Sequence, residues 1–81
     1  MDPVQSIIVE RAEALGFNQF ALHAALIAAG LDITHQAVNN WFRGVTGINI
    51  AHQPTVAVAL DVSLERLVHA HTERRRRAAA A

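Results

Sequence analysis

With 81 residues, 52% of them hydrophobic, the chain has material for one modest core and none for a second catalytic or sensor domain. It contains no cysteine, which excludes disulfides, thiol chemistry and Cys-ligated zinc. Formal net charge is zero, yet four of the seven Arg stand together at the C-terminal end, so residues 1–73 carry three Arg against seven acids, a balance of −4, ahead of a basic tail.

The first helix is expected from Asp2-Pro3 to about Leu15. Asp2 can accept from the free backbone amides, and Pro3 suits the first helical position, where no donor is needed. Val4, Ile7, Ile8, Ala12 and Leu15 form one apolar stripe, and Gly16 is placed to stop the helix in a left-handed cap. Asn18 caps a second helix over roughly 19–29, with Phe17 positioned to fold back towards Leu22. That helix is apolar nearly all round, which predicts that other helices cover most of its faces.

Gly30-Leu31-Asp32-Ile33 breaks the pattern, and Thr34 caps a third helix running to Phe42 or Arg43. Two helices joined by so short a turn make a helix-turn-helix. Residues 45–49 read as loop; Pro54 sets the start of a fourth helix at Gln53 or Pro54, ending near Leu60. Ser63 caps a fifth, with Leu64, Leu67 and Val68 expected to face inward. The result is an all-α, five-helix domain over residues 1–71, followed by a basic tail over 72–81 that is expected to fray.

The stretch Thr34 to Gly44, THQAVNNWFRG, is the most informative. At 100° per residue, Val38, Phe42 and Trp41 fall on one side of the third helix. Asn39, Arg43, Gln36 and Asn40 fall within an arc of about 100° on the other. A solvated face ordinarily uses Glu, Lys, Arg or Ala, because Asn is a mediocre helix former. Asn and Gln each present a donor beside an acceptor, which matches adenine in the major groove, and Arg matches guanine. The arc therefore reads as base-edge chemistry, against the plainer alternative of a hydrated surface.

These residues resemble the recognition helix of the Cro and cI phage repressor group, the XRE family, whose pattern is roughly S-x-x-x-I-S-x-W-x-x-G. Val56 to Val68, VAVALDVSLERLV, is similar to that family's I-A-x-A-L-G-V-S-x-x-x-L, and the distance from Gly44 to Leu60 fits without a gap. Anchoring on Val38 places Ala24, Ala28 and Asp32 where the family carries Gln, a small residue and Gly. The resemblance implies a lambda-repressor-like domain. It would act as a homodimer on a palindromic double-stranded DNA operator, a Cro-like phage or host transcriptional repressor working in the bacterial cytoplasm at the nucleoid.

It also implies roles for named residues. Gln36, Asn39, Asn40, Arg43 and His35 take the base-reading positions, and Thr34, Asn18, Gln19, Thr46 and Asn49 the phosphate contacts. Arg74, Arg75, Arg76 and Arg77 can add electrostatic attraction or simply keep the domain in solution. The competing reading is a helix-turn-helix that serves as a protein-interaction module, an antitoxin or an adaptor that blocks a partner protein, which the acidic balance of residues 1–73 favours.

Other chemistries find little support. His69 and His71, two apart, point to different sides of a helix, and no His-Glu-x-x-His occurs, so no metal site or cofactor is expected. His23 reads as a partly buried, hydrogen-bonded residue and His52 as exposed. No nucleophile triad, phosphate loop or catalytic carboxylate pair is present, and neither an enzyme nor a small-molecule substrate is expected. No apolar run of about 18 residues and no basic-then-apolar start occur, so the chain is read as soluble, without a membrane partner.

Overall fold

Helix starts follow the capping code. In the computed structural model, which describes residues 1–80, Asp2 opens α1 (Pro3–Leu15) by accepting from the amides of Val4 and Gln5 at 2.9 and 3.1 Å. Asn18 opens α2 (Gln19–Ala28) through Ala21 N–H at 2.8 Å, and Thr34 opens α3 (His35–Arg43) through Ala37 N–H at 3.1 Å. α4 (Gln53–Ala59) has no side-chain cap and instead carries Pro54 in its first turn, while Ser63 accepts from Arg66 N–H to open α5 (Leu64–Ala80). The described residues contain no strand.

Four of the five helices stop in the same way. A residue with positive φ turns the chain so that its own amide and the next one reach back to the last turn. The pairs are Gly16 and Phe17 to Glu13 and Ala12, Gly30 and Leu31 to Ile27 and Leu26, Gly44 and Val45 to Trp41 and Asn40, and Asp61 and Val62 to Val58 and Ala57. Only the fourth lacks glycine: Asp61 adopts φ 51°, a conformation that costs a residue with a Cβ about 1 kcal/mol. Its ion pair with Arg11, 3.8 Å long with the Asp61 side chain 85% exposed, returns little. Asp61→Gly is therefore expected to stabilise the domain by about 0.5 kcal/mol, seen as a higher urea midpoint at unchanged slope; a lower midpoint would show that the ion pair outweighs the backbone strain.

The core gathers Val4 and Ile8 from α1, Leu22 and Leu26 from α2, Val38 and Trp41 from α3, Val56 and Leu60 from α4, and Leu67 from α5. α1 and α5 run antiparallel. Arg66 pairs with Glu10 at 3.1 Å and Arg74 with Asp2 at 2.8 Å, so numbers climb on one helix as they fall on the other. α3 packs on both α2 and α1.

Three expectations are corrected. α2 is not covered on most faces: only Leu22 and Leu26 are buried, while Phe20 is 64% and Ile27 46% exposed. α2 packs mainly on α3 and α4, so its outward alanines serve helix propensity rather than close approach. On α5 the inward stripe is Leu67, Ala70 and His71, leaving Leu64 and Val68 each 42% exposed. The segment from residue 72, expected to be a tail, continues α5 to Ala80, and within it Arg74 is tied to Asp2 and also donates to Val45 O at 3.1 Å.

Candidate nucleic-acid interface

α3 carries an apolar flank that fixes it and a polar flank that faces out. Val38 is fully buried and Trp41 nearly so, with Phe42 packed beside them. Its C-terminal end is held from α1, where Gln5 Nε2 donates to Phe42 O at 2.9 Å. Gly44 ends the helix at φ 73°, with a Cβ there falling 2.6 Å from Gln5 Oε1. The residue after the helix must therefore lack a side chain for the Gln5 brace to sit where it does.

On the outward flank Gln36 and Arg43 are exposed, and Asn39 and Asn40 half-buried. Gln36 Nε2 donates to Asn40 Oδ1 at 2.9 Å. That bond consumes one donor and one acceptor and leaves Gln36 Oε1 beside Asn40 Nδ2, so the coupled pair still offers an acceptor and a donor together. The ion pairs among the described residues employ Arg11, Arg66, Arg74 and Arg76, which leaves Arg43 with a free guanidinium.

His35 departs from the expected role. Its ring stacks on Phe20 of α2 with centroids 4.4 Å apart and planes 14° from parallel, and meets the edge of His23 at 5.5 Å. The exposed Phe20 face captures the imidazole, so in this structure His35 braces α3 against α2. His23 is half-buried and hydrogen-bonded, its Nε2 lying 3.0 Å from Ile33 O, as the sequence suggests.

The residues expected to touch phosphate share a less obvious property. Asn18 Oδ1, Thr34 Oγ1 and Asn49 Oδ1 each accept from a nearby backbone amide, Asn49 from Ala51 N–H at 2.9 Å. These bonds fix the side chains while leaving the Nδ2 hydrogens of Asn18 and Asn49 and the Thr34 hydroxyl hydrogen to donate, as a phosphate needs. Gln19 does not join them, because its Oε1 is buried without a hydrogen-bond partner and its side chain is turned into the protein.

A cleft of about 330 Å³ lies between the α2–α3 turn, α3 and the loop after it. Asn40, Thr46 and Asn49 flank it over a Trp41 floor, with His52 and Asp32 on the rim. His52, expected to be exposed, is half-buried there because the chain turns at this point into α4. The loop owes its position to a clamp that the sequence reading missed. Ile48 is buried, its N–H donates to His71 Nε2 at 2.9 Å, and its carbonyl accepts from Gln53 Nε2 at 2.9 Å. His71 Nδ1 lies 2.8 Å from Leu67 O, so the ring donates at Nδ1 and accepts at Nε2. The available signal was a His at the spacing of Leu67 and Ala70, on the inward stripe of α5.

Arg74 also differs from expectation. Its guanidinium joins Asp2 and Val45, and its stem runs beside Gly47, so it fastens α5 to the start of α1 and the end of α3 rather than standing free in a tail. Arg75, Arg76 and Arg77 remain exposed, Arg76 paired with Glu73. No helix is long and apolar enough to cross a membrane among the described residues. No family model, curated protein or solved structure matches the chain.

Proposed function

We propose that this protein is a sequence-specific regulator that binds double-stranded DNA through α3 in the major groove, in the manner its likeness to the Cro and cI group implies. The observation that carries the reading is the amide-rich flank of α3, displayed outward and held in place by a buried Val38–Trp41 flank. The coupled Gln36–Asn40 pair and Asn39 offer adenine-type contacts and Arg43 a guanine-type contact. The donor halves of Asn18, Thr34 and Asn49, with Thr46, offer phosphate contacts that set the register. Regulation would follow from occupying a site that overlaps a promoter.

A homodimer on a palindrome suits so small a reader, because one helix reads too few base pairs for specificity. Val58, 82% exposed, with Leu64 and Val68, provides apolar surface on α4 and α5 for a second copy. The second reading, a protein-interaction module, draws on the bare α2 face with Phe20 and Ile27 exposed.

Selection of bound sequences from random duplex DNA tests both. The expected result is a two-fold symmetric consensus with half-sites one helical turn, roughly 34 Å, apart. A pool that never enriches, together with a purified protein partner retained at high salt, would establish the second reading in its place.

A further inference from the structure

Sorting the charges by position in the fold, instead of along the chain, changes what zero net charge means. The α1–α5 pairing brings the start of α1, the end of α3 and the end of α5 together, through Arg74 to Asp2 and Val45 and through Arg77 Nη1, which donates to Met1 O at 3.2 Å. That end of the molecule holds five Arg, residue 43 and residues 74–77, against Asp2 and Glu73, a balance of +3. The remainder holds Arg11 and Arg66 against Glu10, Glu13, Asp32, Asp61 and Glu65, a balance of −3.

Within the cationic end the guanidinium groups divide by task. Arg74 is committed to Asp2 and Val45, and Arg76 is paired with Glu73. Arg75 and Arg77 are exposed and in no ion pair among the described residues, like Arg43 two residues before the Val45 carbonyl that Arg74 grips. Because Arg74 anchors α5 here, the guanidinium groups of Arg75 and Arg77, each with one hydrogen bond, to Thr72 Oγ1 and to Met1 O, and no carboxylate partner among the described residues, are carried on a helix beside the end of α3.

We infer that the last turns of α5 form a second, sequence-independent contact surface for the sugar-phosphate backbone of duplex DNA, with Arg75 and Arg77 as its phosphate ligands and Arg74 as the positioning residue that holds them next to α3. The inference rests on the duplex as partner, but not on base reading by the amides. Its physical content is counterion release: each phosphate neutralised steepens the dependence of log K on log salt by about 0.9.

Fluorescence anisotropy of the full chain on two labelled duplexes, one random and one carrying the selected consensus, is the test, run over a salt series. Arg75→Gln with Arg77→Gln is expected to reduce the slope by about 1.8 on both duplexes while leaving their affinity ratio unchanged. Arg66→Gln, at the other end of α5, is expected to leave the slope as it is, and urea unfolding of the double variant to match the parent because both side chains, and the hydrogen bonds they make to Thr72 Oγ1 and Met1 O, are exposed to water. An unaltered slope in a folded double variant would overturn the inference. A reduced slope in a protein that prefers no sequence would uphold it and remove base reading. Failure to bind any duplex at low salt would overturn both.

Discussion

Replacing Asn39 and Asn40 together by alanine is expected to flatten sequence preference while sparing general DNA affinity. A good amide-to-adenine pair is worth about 1–3 kcal/mol of discrimination. Losing two removes at least about 2 kcal/mol, a drop of roughly 30-fold or more in the ratio of consensus to random binding. The fold should tolerate the change. Both side chains are half-buried, the Gln36–Asn40 bond is exposed, and alanine is the better helix former. Competition shift assays measure the ratio, and urea unfolding verifies the fold. An intact preference in the folded double variant would mean that the amides do not read bases.

The largest stability effect is expected at the clamp on Ile48. His71→Leu leaves the buried Ile48 N–H without an acceptor and Gln53→Leu leaves its carbonyl without a donor, at about 1–3 kcal/mol each. In a domain of this size that is a substantial part of the whole stability. The two losses should not add. Once either anchor is gone the 44–52 loop can open and let water reach the other group of Ile48, so the double variant should cost less than the summed singles. Urea denaturation of the three variants gives the coupling, and faster hydrogen exchange at the Ile48 amide would localise it. Full additivity would show that the loop stays closed without either anchor.

The parts of this fold that were legible in the sequence are those fixed within one helical turn. Asp2, Asn18, Thr34 and Ser63 cap helices because each reaches an amide two or three residues ahead, and Gly16 stops α1 by a bond from the following residue. The two flanks of α3 were legible for the same reason, since period and residue type settle which side is apolar. What required tertiary knowledge was missed. Nothing within a turn of Arg74 announces that its partner is Asp2, 72 residues away, and composition alone suggested a solvated tail. The family resemblance gives His35 a DNA-facing place on α3, but the surface its ring meets belongs to α2, whose Phe20 stays exposed. Hydrophobicity alone places Leu64 and Val68 inward, whereas α1 and α4 meet α5 along Leu67, Ala70 and His71.

The arginines gathered at one end give this neutral protein an electrical direction. A molecule without net charge is not drawn through bulk solution to a polyanion, but a dipole in the field of a duplex experiences a torque. Because screening confines that field to roughly 8 Å at physiological salt, alignment begins only in the final approach. Such a protein would diffuse freely between encounters and turn its arginine-bearing end forward only when one begins.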